Sequence, residues 1–252
     1  MKIIIVGAGI GGLVSALCLK KKGFDVEIFE QVKVLSELGA GIQLSPNATR
    51  VLDYLDLTED LKPFVFEPKS FQFLNYRTGK VILKKELGFK IKRDFGSPNY
   101  DIQRADLQKV LLKKIETEKI ELLTNTKVTN VGNEDNKAYI EVNEKKIWAD
   151  IVIGADGIHS VVRDILFERK DSAFTGNVAW RLLISIENLP KNLVLPDTTV
   201  WLGPKKHFVS YHVSGGKNIN CVCLVEQDGW TTESWFEKGN IDDLRNIYKG
   251  WN

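Results

Sequence analysis

A chain of 252 residues is long enough for one large or two modest domains around a real core. Its 35 basic and 33 acidic residues leave a net charge of +2, which speaks against a nucleic-acid partner, and no apolar run has the length of a membrane span. Apolar content of 43% and charged content of 27% are ordinary for a globular protein, and Met1-Lys2-Ile3 is expected to lead straight into a strand, with no room for a signal peptide.

Ile3, Ile4, Ile5 and Val6 form a short, continuous apolar run, the pattern of a buried parallel strand. The run enters Gly7-Ala8-Gly9-Ile10-Gly11-Gly12, which has the G-x-G-x-x-G spacing. Leu13, Val14, Ala16, Leu17 and Leu19 then recur at helical intervals until Gly23. A second strand, Val26-Glu27-Ile28-Phe29, ends in Glu30. In this setting each glycine has a task. Gly7 allows a tight turn, Gly9 has no Cβ to hold a pyrophosphate off the backbone, and Gly12 lets the helix pack close to the sheet. The helix N-terminus offers free N–H groups and a partial positive charge. Glu30, eighteen residues after Gly12, is placed to accept hydrogen bonds from a ribose diol. The stretch predicts a dinucleotide site.

Leu38-Gly39-Ala40-Gly41-Ile42-Gln43-Leu44 follows, its glycines suited equally to a flat ligand's close approach and to a plain bend. Ser45 is expected to cap a helix with Pro46 at its first position and Val51, Leu52 and Leu55 on one face. Residues 65–85 alternate like two strands, one carrying Phe71 and Phe73, the other Val81, Ile82 and Leu83, around a turn at Tyr76-Arg77-Thr78-Gly79. Residues 88–98 read as a basic, irregular loop. Arg104 opens a helix striped by Leu107, Val110, Leu111 and Ile115.

Strands are expected over 120–123 and 127–131, then a hairpin of 138–142 and 147–148 turned at Asn143-Glu144. Ile151-Val152-Ile153 reads as the next buried strand and leads into Gly154-Ala155-Asp156-Gly157, where Asp156 either serves a ligand or caps the helix that follows. From 178 to about 225 the pattern is mostly strand, with turns near 188–192, at Gly203-Pro204 and at Ser214-Gly215-Gly216; 233–238 and 241–248 read as helical. Cys221 and Cys223, two apart in an apolar run, share one strand face and read, like Cys18, as thiols without a disulfide framework or a metal. A cytoplasmic protein is expected.

Three stretches together resemble the FAD-dependent aromatic hydroxylases (class A flavoprotein monooxygenases), of the salicylate-hydroxylase-like type with the 4-hydroxybenzoate hydroxylase fold. They are the fingerprint from Gly7 to Glu30, the segment Gly39-Ala-Gly-Ile-Gln-Leu-Ser-Pro-Asn-Ala48, and Gly154-Ala-Asp-Gly-Ile-His-Ser-Val-Val-Arg163. Gln103-Arg104-Ala-Asp-Leu107 matches a fourth motif, and Trp180-Arg181 and Trp201-Leu-Gly-Pro204 are similar to landmarks of the family's substrate sheet. The resemblance implies an α/β protein: a discontinuous Rossmann-like FAD/NAD(P)-binding domain over 1–75 and 100–175, with an inserted strand-rich substrate domain over 76–99 and 176–230. Residues 231–252 would begin a helical connection. The family's later Gly-Asp motif has no counterpart, so the chain reads as a fragment whose first sheet keeps an uncovered apolar face.

Implied FAD contacts are Gly7, Ala8, Gly9, Gly11, Gly12, Glu30, Gln31, Gly41, Ile42, Arg104, Val128, Asp156, Gly157 and Arg163. Arg104 alternatively only starts its helix. On the substrate side the candidates are Arg181, His207 and Tyr211; His207 and Tyr211 lie four apart on one strand face, a place equally suited to sheet packing. His159 reads as structural, and no metal site stands out. The implied reaction has NADH or NADPH reduce FAD, O₂ form a flavin C4a-hydroperoxide, and oxygen pass to a small salicylate- or hydroxybenzoate-like aromatic substrate. An isoprenoid epoxidase or ubiquinone-pathway hydroxylase of the same superfamily remains open, as does an inactive nucleotide-binding fragment. The expected assembly is a monomer or homodimer.

Overall fold

The computed structural model describes residues 1–35, 40–167, 173–191, 193–227, 229 and 237–252. The anticipated strand, glycine turn, helix and strand are β1 (Lys2–Val6), α1 (Ile10–Lys21) and β2 (Asp25–Phe29). Next come β3 (Gly41–Leu44), α2 (Pro46–Tyr54) and the single turn α3 (Thr58–Leu61). Pro46 does open α2, but Ser45 makes no side-chain cap; its hydroxyl pairs with Asn47 Oδ1 instead. Gly39 lies outside the described residues.

β4 (Ser70–Asn75) and β5 (Val81–Glu86) form the expected hairpin. The more buried face of β4 carries Ser70, Gln72 and Leu74 rather than Phe71 and Phe73. Gln72 tolerates burial because its Nε2 donates to Thr199 Oγ1 at 3.0 Å. Residues 88–98 are not an irregular loop: they hold α4 (Gly88–Phe95), anchored by the buried Ile91 and closed by Gly96 in the left-handed region. One buried anchor among Lys90, Lys92 and Arg93 is too thin an apolar stripe to announce a helix.

β6 (Tyr100–Gln103) runs into α5 (Arg104–Thr117), where Leu107, Val110, Leu111 and Ile115 are all buried. β7 (Glu121–Leu123) follows, and the strand expected from 127 starts later, as β8 (Asn130–Glu134). The segment between is held elsewhere: Thr126 N–H donates to the Glu30 carbonyl at 2.8 Å. β9 (Lys137–Val142) and β10 (Lys145–Ala149) make the predicted hairpin, with Asn143 and Glu144 both at positive φ, as a tight two-residue turn requires. β11 (Ile151–Gly154) and α6 (Val161–Leu166) come next. β12 (Asn177–Ser185), β13 (Thr198–Gly203), β14 (Lys206–Val213) and β15 (Asn218–Glu226) make up the strand-rich stretch, and α7 (Ile241–Ile247) comes last. The helix expected over 233–238 lies outside the described residues apart from Glu237 and Lys238, which are not helical, and the turn residue Asn192 also lies outside them.

Two compact units result: Met1–Glu37 with Leu107–Ser172, and Leu38–Asp106 with Ala173–Asn252. These are not the expected boundaries. Residues 38–75, 100–106 and 173–175 go with the strand-rich unit, because β4 pairs with β13 and β3 pairs with β6. Residues 231–252 belong to that unit as well.

In the first unit a parallel sheet of order β11-β1-β2-β7 accompanies an antiparallel meander, β10-β9-β8. Ile4, Val6 and Phe29 pack in one cluster with Val131, Ile140, Val142 and Ala149 of the meander. The bare apolar face expected on the first sheet is therefore absent at β1, whose Ile3, Ile4, Ile5 and Val6 are all buried. Exposure moves to the edge instead. β11, expected to be buried, has Ile151 40% exposed, because among the described residues no strand pairs with its outer side.

The second unit holds a six-stranded sheet of order β12-β15-β14-β13-β4-β5, antiparallel except between β13 and β4, and the ribbon β3–β6. Register places Arg181, Val222, Val209, Val200 and Phe73 across one face. The other face carries Leu182, Cys221, Cys223, Phe208 and Trp201, which line a cavity of about 320 Å³ with Leu244 and Tyr248. Burial there pushes the Cys221 and Cys223 thiols up to about 11 and about 12, so both are inert neutral side chains at physiological pH. Among the described residues no helix is long and apolar enough to cross a membrane.

Candidate functional site

The four loop glycines fall into two pairs. A Cβ on Gly7, whose φ is +103°, would sit 2.5 Å from the Ala155 carbonyl oxygen, and one on Gly12 would overlap the Gly7 carbonyl oxygen. These two are demanded by the protein's own packing. Gly9 sits at φ −65°, ψ 173°, an ordinary extended conformation, and neither it nor Gly11 has any atom within 4 Å of an added Cβ. The fold itself does not require glycine at position 9. The space beside it belongs to a cavity of about 200 Å³.

Gly7, Gly9, Glu30, Gln31, Val128, Asp156 and Gly157 all line that cavity, so seven of the fourteen residues expected to contact the cofactor converge within one unit. Ala8 lies buried behind the wall and donates its N–H to Glu30 Oε2 at 2.7 Å, while Val32 N–H donates to Oε1 at 2.9 Å. Glu30, 9% exposed, thus ties the glycine loop to the end of β2 and still has lone pairs left for a ribose diol. At the mouth, α1 begins without a side-chain cap and without an acid in its first turn, leaving its positive end free for phosphate. The volume is below the 300 to 1,000 Å³ (roughly) of a whole-ligand pocket, so it suits one end of an extended cofactor. These residues fit the nucleotide end of FAD.

The cap of the helix that follows is Ser160, not Asp156, which braces it. Ser160 Oγ donates to its Oδ1 at 2.6 Å, Val162 N–H donates to Oδ2 at 3.1 Å, and Ser160 Oγ in turn accepts from Arg163 N–H at 3.0 Å. The brace holds Gly157, at φ +78°, against the cavity. Arg163 is not brought in: it is exposed on α6 and pairs with Asp164 at 3.0 Å. Gly11 is exposed and outside the lining. Gly41, Ile42 and Arg104 stand in the strand-rich unit, where Arg104 N–H donates to the Ala40 carbonyl at 2.9 Å. Thr126 and His159 line the cavity although neither was singled out for it. Thr126 lies in a segment without periodicity, and His159, set aside as structural, is a lone histidine beside an Asp-Gly turn.

On the strand-rich unit, Arg181, Tyr211 and His207 do share one sheet face. His207 and Tyr211 are nevertheless about 13 Å apart along β14 at ~3.3 Å per residue, so they do not act on one small ring together. Tyr211 is buried; burial, and then the charge of Asp101, raise its phenol pKa, which keeps it a proton donor at neutral pH. Arg181 is exposed overall, yet atoms packed around its guanidinium lower its pKa and the neighbouring Arg104 charge lowers it further.

Asp101 carried no sequence signal. It is almost fully buried on β6, accepts from Gln43 Nε2 at 3.2 Å and Thr198 Oγ1 at 2.9 Å, and burial raises its pKa from 3.8 to about 7. The folded protein therefore keeps a proton that the unfolded chain releases between those values, and stability falls as pH rises through that window. At 1.36 kcal/mol per unit the span is on the order of a few kcal/mol. Asp101→Asn is expected to remove this slope and to melt above the parent at pH 8. Melting temperatures from pH 4.5 to 8 check it; parallel curves for the two proteins would refute it.

Residues 1–227 match the family described as FAD binding domain. The 3-amino-4-hydroxybenzoate 2-monooxygenase PtnB3 of Streptomyces platensis is 29% identical over 253 residues, covering 100% of this chain and 63% of the relative. The 3-hydroxybenzoate 6-hydroxylase of Klebsiella oxytoca is 31% identical over 255 residues, covering 99% of this chain and 63% of the relative. The solved structure of Klebsiella pneumoniae HpxO complexed with FAD and uric acid shares the fold, with a TM-score of 0.83 at 24% identity over 100% of this chain and 62% of that one. The chain thus spans less than two-thirds of the length of these relatives. Since the family match runs through both units, the chain belongs to the FAD-binding domain family, that of the flavin-dependent aromatic hydroxylases which its motifs resemble.

Proposed function

We propose that this protein is an FAD-dependent monooxygenase that uses NAD(P)H and O₂ to hydroxylate a small aromatic acid of the hydroxybenzoate class. The observation that carries the reading is a conjunction in one family member. One unit has the open cradle at Gly9, and the other has a sheet face where a guanidinium and a phenol, Arg181 and Tyr211, stand among Val209, Val222 and Phe73. Apolar walls suit a ring, and a guanidinium suits its carboxylate.

Glu30 would hold the adenosine ribose, the α1 N-terminus the pyrophosphate, and Asp156 with Gly157 the next part of the cofactor. Gly41, Ile42 and Arg104 are assigned to the flavin by the resemblance. Held there, FAD would supply the redox chemistry, the uptake of hydride from NAD(P)H and the activation of O₂. The protein's own work is to bind, to exclude water and to orient the ring. Tyr211 keeps its proton and donates a hydrogen bond to the substrate's hydroxyl; Arg181 pairs with its carboxylate. His207, at the far end of β14, is left without a substrate contact. The free thiols fit a reducing, cytoplasmic setting.

Reconstitution with FAD tests the reading. In a version extended to the length of the relatives, retained flavin, NAD(P)H oxidation stimulated by hydroxybenzoates and a hydroxylated product are the expected results. An extended version that retains no flavin, or that oxidises NAD(P)H without hydroxylating any member of a benzoate panel, would overturn it. Within that assay Arg181→Met is expected to raise KM for benzoates roughly 10- to 100-fold, the worth of a charged hydrogen bond. An unchanged KM removes Arg181 from the substrate site.

A further inference from the structure

Gly41 opens β3, and its N–H donates to Asn220 Oδ1 at 2.8 Å. Asn220 lies on β15, 1% exposed, directly across from Tyr211 on β14. A Cβ on Gly41 would stand 2.6 Å from Tyr211 Cε2, 2.7 Å from Tyr211 Oη and 2.8 Å from Asn220 Cγ. Gly41 is not among the residues at positive φ, so glycine is demanded there by the approach of the phenol and the amide rather than by backbone conformation.

Packing alone does not account for Asn220. Its Nδ2 is buried and has no hydrogen-bond partner among the described residues, an unfavourable state that an apolar side chain of similar volume would avoid. What the asparagine contributes is the acceptor for Gly41 N–H. That matters because β3–β6 is a two-stranded ribbon, which is marginal unless tied to something larger. Side-chain hydrogen bonds tie it to the six-stranded sheet: Asn220 at Gly41, Thr198 with Gln43 and Asp101, and Ser214, in the turn after β14, to Gln103. The first of these lies against the Tyr211 ring.

We propose that Asn220 is a positioning residue: by holding the Gly41 N–H it seats β3 against the Tyr211 ring and so fixes the direction of the phenol hydroxyl. The inference rests on the reading of Tyr211 as a substrate contact.

The test uses the full chain with Asn220→Ala, which loses the acceptor, Asn220→Asp, which keeps it, and Tyr211→Phe as the reference for phenol absorbance. Two readouts need neither cofactor nor turnover. In Asn220→Ala, hydrogen exchange at the Gly41 amide should speed up about tenfold or more, the loss of one ordinary hydrogen bond, and the Tyr211 phenol should titrate at lower pH as the ring loosens. In the FAD-loaded protein KM for the aromatic substrate should rise about tenfold while kcat stays within about twofold. Asn220→Asp should restore exchange and KM. Unchanged Gly41 exchange with an unchanged phenol titration in Asn220→Ala overturns the proposal. Should that variant not fold, Asn220→Asp decides: parental Gly41 exchange upholds the proposal, and fast exchange overturns it. If the parent hydroxylates no benzoate, the substrate reading falls, while exchange and titration still decide the role of Asn220.

Discussion

Gly12→Ala is expected to destroy the folded nucleotide-binding unit, whereas Gly9→Ala should leave it folded and stripped of FAD. The contrast follows from what each new Cβ would meet. At position 12 it overlaps the backbone oxygen of Gly7, and Gly7 cannot retreat. That residue is already held at φ +103° against Ala155 and donates its N–H to Phe29 O at 2.8 Å. Overpacking against a side chain costs about 1–3 kcal/mol, and against fixed backbone more, out of a total stability of roughly 5–15 kcal/mol. At position 9 the methyl enters open space in a conformation alanine adopts freely, so stability should change by less than about 1 kcal/mol. The same methyl occupies the place where a pyrophosphate would approach the loop. FAD affinity is expected to fall at least about 100-fold, or about 2.7 kcal/mol. Thermal melts of both proteins without cofactor, followed by flavin titration of the Gly9 variant, separate the two effects. A Gly12 variant that melts like the parent removes the packing account, and a Gly9 variant with parental affinity removes the cradle.

Glu30→Ala should fail in both respects at once. Its carboxylate accepts from Ala8 N–H and Val32 N–H, so removal leaves two backbone donors near the cavity without their acceptor. Hydrogen bonds to a charged group are worth about 1.5–3 kcal/mol each, so the cofactor-free unit should lose a few kcal/mol. On top of this, loss of the ribose contacts should weaken FAD binding roughly 10- to 100-fold. Glu30→Gln separates the two roles in part: its carbonyl oxygen still accepts from Ala8 N–H while Val32 N–H loses its acceptor, so melting should recover only about half of the loss. It presents only one acceptor oxygen in all, so FAD affinity should not recover. If Glu30→Ala binds FAD as tightly as the parent well below its melting temperature, Glu30 serves the loop alone.

The legible parts of this protein were those in which a local pattern and a tertiary demand coincide. β1, the glycine loop, α1 and β2 satisfy a motif whose spacing is complete within thirty residues of chain, although the reason for Gly7 lies at Ala155. The stripe on α5 is a face about two and a half turns long, and Asn143-Glu144 adopts positive φ in a hairpin that its flanking alternation announces. Elements whose reason lies elsewhere in the chain were not legible. α4 rests on Ile91 and a closing glycine, and the delayed start of β8 follows from a bond between Thr126 and Glu30. Asp101 and Asn220 were invisible because a buried polar residue in a strand has no periodicity of its own. The meaning of Asn220 comes from a glycine 179 positions earlier. The loop glycines were legible as a set, but only the space around each one shows that Gly12 answers to packing and Gly9 does not.

The pairing of Ile3 with Ile151 across β1 and β11 has a consequence on the ribosome. β1 meets β2 almost at once, but its other neighbour is 148 positions away (151 minus 3). At a synthesis rate of roughly 5–20 residues per second, one edge of an all-aliphatic strand waits about 7–30 s for its partner. During that interval residues 38–106, which belong to the other compact unit, emerge first. The nascent chain must keep Ile3, Ile4, Ile5 and Val6 from pairing with the strands of that unit as they appear. The first unit is thus interrupted in time as well as in sequence, and its nucleotide cradle is completed only after β11 and the Asp156 turn have left the exit tunnel.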